Sequence, residues 1–430
     1  MLNAANAVVD EAQPDDQPQP AEQLQAAVEP ILDTEPPPGS HQFLKGIVQA
    51  RKQAGRKATG VLWDLIRLSI ARRRIFNPER YFHFRLFEYG SKQRASMDAF
   101  VDHQQRHSIN QNSNCETHKD HAINHKQYLE TILRESGMPV VRTQAILRSE
   151  GLSIGKIHAG KNAAMNYLRS DTNYPAFGKP VDGSLSLGVA SIDNYDAASD
   201  SLLLSSGRRA AVTQFVDEAI EHYGDYGYLI QSRLKQQAEL ESAVGRAISC
   251  VRIVTLRDSA SPKALYAVWK ISAESSAADN IWREGNLCAA VDLETGRVTR
   301  CRGGEGVDCV EHELHPVTGA QLIGMRLPFW KEVLAVAQNA SEIMSYTDII
   351  GWDIAITDDG PVIVEGNTNP DHGLYQFANQ QGLLETEFGE ALVGSGKSKR
   401  KAVEAKAKAK TKRELRQQRK HIMEQGFKLD

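Results

Sequence analysis

Hydrophobic and polar positions alternate most clearly between residues 349 and 373, IIGWDIAITDDGPVIVEGNTNPDHG. Ile350, Trp352, Ile354 and Ile356 interleave with Gly351, Asp353 and Ala355, the period of two expected of a half-buried strand. Asp358-Asp359-Gly360 supplies a tight turn, because glycine tolerates positive φ and aspartate folds back on its own backbone. Val362 and Val364 then alternate with Ile363, Glu365 and Asn367. Keeping the apolar partners together pairs Ile356 with Val362 and Ile354 with Val364. That register sets Asp353 directly opposite Glu365, on the other face.

Elsewhere the period is helical. The pattern predicts helices over 60–74, 124–136, 211–223 and 330–345, with strands at 228–231, 249–255, 264–271, 287–292 and 297–301. Asn124 reads as an N-cap with Gln127 at the capping-box position, and Gly137 with Pro139 stops that helix. The 60–74 segment, GVLWDLIRLSIARRR, is apolar and closes on three arginines that suit the negative end of a helix dipole. It reads either as a helix packed on its own domain or as one presenting Trp63, Ile66 and Ile70 to lipid. After Asn77-Pro78 comes an aromatic cluster, RYFHFRLFEYG, and helix through about 106. Residues 107–121, HSINQNSNCETHKDH, read as a polar linker. The histidines at 103, 107, 118, 121 and 125 are irregularly spaced and lack a paired cysteine.

Composition sharpens the outline. At 430 residues the chain has room for two or three domains, and 41% hydrophobic with 24% charged residues is a globular balance. The net charge of −3 hides opposite ends. Residues 1–38 are acidic, proline-rich and without Lys or Arg, so they are expected to be disordered. Residues 397–420 are a Lys/Arg run suited to weak contact with anionic lipid or nucleic acid, or to solubility alone. Five scattered cysteines suit a reducing compartment. No apolar run reaches the roughly 18 residues that span a bilayer, and no secretory pattern opens the chain. The expected location is the cytoplasm, compatible with a peripheral place at the inner membrane face.

The chemistry begins with Asp353 and Glu365. Facing carboxylates stand about 5 Å apart at Cβ and destabilise a sheet unless something neutralises them. With the Asn367 amide oxygen they make the sparse oxygen set that Mg²⁺ (or Mn²⁺) favours; an ordinary solvated face is the alternative. Lys126 opens a helix, where a cation opposes the dipole unless an anion meets it; pointing at water is the plain alternative. In FGKPVDGSLSLGV, 177–189, a strand delivers Lys179. A loop of Asp182, Gly183, Ser184, Ser186 and Gly188 follows, small enough to wrap phosphate oxygens with backbone N–H groups. A Walker A pattern is absent. Arg252 lies inside the apolar strand CVRIVT and needs a carboxylate or a phosphate as partner.

In order, Lys126, Lys179-Pro with its loop, the Gln231 strand, Arg252 and Asp353…Glu365-x-Asn367 resemble the ATP-grasp superfamily. The segments NPERYF, KPVDGSLSLGV, CVRIVT, HPVTG and GWDIAIT-x-DGPVIVEGN are similar to the sugar-transfer-associated ATP-grasp family, related to alpha-L-glutamate ligases. The resemblance covers about residues 75–385 and implies an α+β fold, two α/β subdomains clasping ATP. The implied division is a disordered segment at 1–39, a helical region and linker at 40–122, subdomain one at 123–230, subdomain two at 231–392 and a basic tail at 393–430.

By the same resemblance Lys126, Lys179 and the loop from Asp182 would hold the phosphates, and the Gln231 segment adenine. Arg252 would steady the γ-phosphate, while Asp353, Glu365 and Asn367 hold Mg²⁺. Substrate would lie near His315, Thr318, Asp371 and His372. Two departures stand out. Gln231-Ser232-Arg233 replaces an acidic adenine hinge, and Gly351-Trp352 stands where D-alanine ligases place an arginine. The implied activity joins a small-molecule or saccharide-linked carboxylate to an amine. A kinase using the same clasp and a non-catalytic membrane or RNA adaptor are the rivals.

Overall fold

A computed structural model describes residues 30–34, 43–90, 93–114, 123–183, 186–257, 261–274, 276, 279–280, 283–304 and 306–394. Two seven-stranded sheets carry it, giving the α+β class. The first contains β1 (Thr143–Arg148), β2 (Ile157–Ala159), β3 (Ala176–Pro180), β4 (Ala190–Asp196), β5 (Ser201–Leu204), β6 (Arg209–Ala211) and β7 (Tyr228–Ser232). Its order is β2-β1-β7-β3-β4-β5-β6, with β1 and β2 parallel and the other pairs antiparallel. The second contains β8 (Cys250–Arg257), β9 (Pro262–Ile271), β10 (Leu287–Val291), β11 (Val298–Gly303), β12 (Val310–Glu311), β13 (Ile349–Thr357) and β14 (Gly360–Asn367). Its order is β12-β11-β10-β9-β8-β13-β14, antiparallel throughout.

The second sheet is covered on both faces. Val251, Ile253, Trp269, Trp352 and Ile354 form one core with the helix Trp330–Ile343. Val254, Tyr266, Val268 and Ile349 form another with Val61, Leu65 and Leu68 of the helix Ala58–Ala71 and the aromatic cluster at 76–100. All nine residues of β13 are therefore buried, where alternation predicts a half-exposed strand. The hairpin differs too. Asp353 faces Glu365 as expected, but Ile354 pairs with Ile363 and Ile356 with Pro361. A two-residue turn and a bulge that leaves Val364 unpaired shift the register by one, so Ile363 is buried while Val362 and Val364 are half-exposed. The free side of β14 is blocked by the chain entering the first sheet: Ile363 N–H donates to Pro139 O (2.9 Å) and Val141 N–H to Ile363 O (3.1 Å).

Three further expectations are corrected. Residues 30–34 of the acidic segment are ordered: Glu218 accepts the Ile31 and Leu32 N–H groups, and Leu32 is buried. The rest of 1–38 lies outside the described residues. The polar linker is helix over His103–Asn114, because its polar face is buried against backbone rather than water. Asn114 accepts Ile349 N–H (2.8 Å) and donates to Thr368 O (2.9 Å), while Asn110 donates to Pro370 O (3.0 Å). Residues 115–122 fall outside the described residues. Asn124 bonds Thr368 instead of capping the helix Lys126–Glu135, whose N-cap is His125.

Gln376 clamps the 76–100 region onto the second sheet. Fully buried, it accepts from Val101 N–H (2.7 Å) and Leu383 N–H (3.1 Å) and donates to Val101 O (2.9 Å). Gln376→Ala leaves those buried groups unpaired and is expected to cost about 2–4 kcal/mol, read from chemical denaturation with an unchanged m-value.

Candidate active site

Cross-strand pairing in the second sheet sets Val268, Arg252, Asp353 and Glu365 in one row across β9, β8, β13 and β14. Arg252 and Asp353 are buried and meet in a bidentate pair, Nε to Oδ1 at 2.5 Å and an Nη to Oδ2 at 2.7 Å. Of the two partners left open for Arg252 by the sequence, the structure supplies the carboxylate. Lys270, one register step along β9, donates to the same Asp353 Oδ2 (3.0 Å) and to Asp279 Oδ1 (2.9 Å). Burial opposes every charge here. For Asp353 the two cations outweigh it and hold the carboxyl below the usual range, while for Asp279 burial wins and pushes the carboxyl up. Gly351, beside Asp353, leaves room for this packing: a Cβ there would stand 2.8 Å from Pro370 and 3.2 Å from Arg252 Cδ.

Glu365, at the far end of the row, is half-buried. Lys179, from the first sheet, approaches the backbone of the residue before it. Its ammonium is buried and lies 3.5 Å from Val364 O. Burial, partly offset by Glu365, lowers the Lys179 pKa to about 8. Lys126 donates to Val181 O (3.3 Å) and Gly183 O (3.0 Å), so its charge sits on the backbone of the glycine-containing loop. Asp182 and Gly183 are exposed, and Ser184 lies outside the described residues. Ser186 carries the positive φ of 55° and accepts from Asn280 and Arg283, while Gly188 N–H donates to Asp33 O (2.7 Å).

The donors suit a hard divalent cation. Asn367 Nδ2 lies 3.1 Å from Glu365 Oε1, and a flip of the amide presents its oxygen at the same place. Asp353 already accepts three hydrogen bonds of the roughly four a carboxylate takes, so it contributes charge more than coordination. Among the described residues no group of three His, Cys, Asp or Glu makes a metal cage.

The remaining candidates lie apart from this row. Gln231 is buried and donates to Thr143 Oγ1 (3.0 Å) within the first sheet. Thr318 donates to Ala243 O (2.5 Å) and its N–H reaches His315 Nδ1 (3.2 Å), a self-contained turn against the helix Ala238–Val244. Asp371 is paired with Arg106 at 2.9 Å. His372 is fully buried between Tyr266 Oη (2.8 Å) and Asn110 Oδ1 (2.9 Å), where burial lowers its pKa to about 4. Its surroundings make it a bolt between helix and sheet. Sequence reasoning missed Lys270 and Asp279. A lone lysine in the apolar run ALYAVWKIS carries the same signal as Arg252 and points to a buried partner.

A family profile described as sugar-transfer associated ATP-grasp matches residues 103–389. None of the curated proteins compared matches the chain in sequence. Among solved structures, the D-alanine–D-alanine ligase from Coxiella burnetii is similar over 67% of this chain and 62% of that one, at 14% identity and TM-score 0.38. This chain thus spans less than two thirds of that ligase. The Campylobacter jejuni biotin carboxylase in complex with β,γ-ATP is similar over 64% and 46% (10% identity, TM-score 0.38). The Bacillus licheniformis L-amino acid ligase is similar over 63% and 48% (12% identity, TM-score 0.34).

Two outcomes follow from these surroundings. Lys270→Met leaves Asp279 without its cation and Asp353 with one, and is expected to cost about 3–5 kcal/mol in denaturation. His372 stays neutral in the fold down to about pH 4, whereas the unfolded chain protonates near 6.5. The unfolded state therefore binds more protons between those values, and stability falls as pH drops through that window. Replacing His372 with Gln removes this loss, so the wild-type advantage over the variant shrinks from pH 7 to pH 4 in melts.

Proposed function

The chain belongs to the sugar-transfer-associated ATP-grasp family, and from that premise we propose that it is an ATP-dependent carboxylate–amine ligase. The observation that carries the reading is the approach of the Lys179 ammonium, from the first sheet, to the β14 backbone beside Glu365 on the second. That cation stands against the strand that carries the Glu365 carboxylate and the Asn367 amide, a charge distribution suited to a magnesium triphosphate. The saccharide context of the substrates rests on the family description, and small acids and amines joined to sugars are the first to test.

In the proposed reaction an oxygen of the substrate carboxylate attacks the γ-phosphorus, the bond to the β-phosphate oxygen breaks, and ADP leaves. The amine nitrogen then attacks the acyl phosphate carbon, the carbon–oxygen bond to phosphate breaks, and the amine proton passes to solvent or phosphate. Phosphoryl transfer asks the protein mainly for position and charge. Lys179, half-charged near pH 8, becomes fully protonated when it meets phosphate oxygens and offsets their charge. Lys126 braces the start of the loop through the Val181 and Gly183 carbonyls and so brings positive charge to it. Arg252 and Lys270 hold Asp353 ionised and fixed beside Glu365. A divalent cation held by Glu365 and Asn367 would neutralise phosphate oxygens as charge builds on them.

Glu365→Gln is expected to lower ADP release about a hundredfold or more with an unchanged melting temperature. Measured with amino sugars and amino acids, turnover that needs both carboxylate and amine, with hydroxylamine trapping the acyl phosphate, supports the ligase. Phosphate transfer to substrate without amine identifies a kinase instead. Full turnover by a folded Glu365→Gln protein removes the metal assignment.

A further inference from the structure

We propose that the helix Ala58–Ala71 docks this protein onto an anionic membrane surface, an inference independent of the ligase reading. The helix has two opposite apolar arcs. Val61, Leu65 and Leu68 are buried against the aromatic cluster and the second sheet. Leu62, Trp63, Ile66 and Ile70 fall within roughly 100° of one another on the other side, at 3.6 residues per turn. They are exposed, Trp63 by 61% and Ile70 by 72%. The helix before it, Phe43–Ala54, likewise exposes Leu44 and Val48, one turn apart. Large contiguous apolar faces on a folded protein mark a surface that something covers.

Charge identifies the occupant. Residues 43–75 hold nine lysines and arginines and one acid, Asp64; Lys45, Arg56, Arg67, Arg72 and Arg74 pair with acids, and exposed Arg51, Lys52, Lys57 and Arg73 are left to carry the outward charge. Asp64 is buried and held by Arg56 and by Tyr81 Oη (2.9 Å), so it neutralises nothing outside. Lys57 and Arg73 flank the apolar face at its two ends, exposed and without an ion pair among the described residues. A cationic rim around a tryptophan- and isoleucine-bearing face is the pattern of a helix lying in the headgroup region of acidic lipid. A second copy fits less well, since a two-fold interface would bring the unpaired Lys57 and Arg73 ends of this face against like charge. Trp63 is the one aromatic ring on this face, and aliphatic Leu62, Ile66 and Ile70 around it give successive nucleotide bases no stacking platform. Among the described residues no helix is long and apolar enough to cross a membrane, so the contact lies on the surface.

The test is co-sedimentation of the full chain with phosphatidylcholine vesicles and with mixed phosphatidylcholine–phosphatidylserine vesicles. Binding to the mixed vesicles alone, weakened by salt, is expected. Lys57→Glu with Arg73→Glu should weaken it about tenfold or more. Trp63→Ser with Ile70→Ser should do the same, with unchanged melting curves because all four side chains are exposed. Absence of binding overturns the proposal, as does equal binding to neutral vesicles. Retained binding by both double variants moves the contact to another basic segment, such as 397–420, and also overturns it. So does a dimer in sedimentation velocity that Trp63→Ser with Ile70→Ser dissolves while neither protein binds vesicles.

Discussion

Asp353 is a charge in the middle of a sheet covered on both faces, and two cations from neighbouring strands make that position tolerable. Arg252 takes both of its oxygens and Lys270 takes one again. Removing a charge from water is unfavourable by several kcal/mol, and a buried pair recovers this only with close geometry and saturated hydrogen bonding. The cluster meets both conditions. Register follows from it: sliding β13 by one residue against β8 would take Asp353 away from Arg252 and turn it to the opposite face. Glu365 is then left at the end of the row, with the least protein neutralisation and the nearest approach of Lys179.

The second constraint is a small set of buried amides and one histidine. Asn110, Asn114, Gln376 and His372 are buried and hold the N-terminal helices to the turn after β14. These bonds use backbone groups that no strand or helix satisfies, which is why a helix almost devoid of apolar residues packs against the second sheet by one polar edge. The same helices leave the outer face of Ala58–Ala71 uncovered. Inward and outward arcs of one helix thus carry different work, one completing a core and the other offering apolar surface rimmed with cations.

Much of this was legible in the chain. The central and C-terminal strands, the helices Val212–Tyr223 and Trp330–Ile343, and the Asp353–Glu365 pairing follow from hydrophobic period and one turn, because they depend on neighbours close in sequence. The Lys126, Lys179 and loop segments stood out in the chain as a set, and the structure brings Lys126 onto the backbone of that loop and Lys179 to β14. The expectations that failed share a cause. His103–Asn114 looks like a linker because its polar face shows no stripe, yet its partners lie more than 230 residues away in the chain. Asn124 looks like a helix cap because its partner, Thr368, lies 244 residues further along the chain.

The sequence alone determined the periodicities and the residue types on β13 and β14, including the oxygen-bearing side chains of Asp353, Glu365 and Asn367. These are local properties, set by side-chain chemistry and by the spacing of neighbours along one strand. Tertiary structure alone decided which charges cancel: that Arg252 faces a carboxylate, that Lys270 and Asp279 join it, and that Lys126 grips backbone. Pairing of buried charges depends on distances of a few ångströms between strands distant in sequence, and no one-dimensional pattern encodes those.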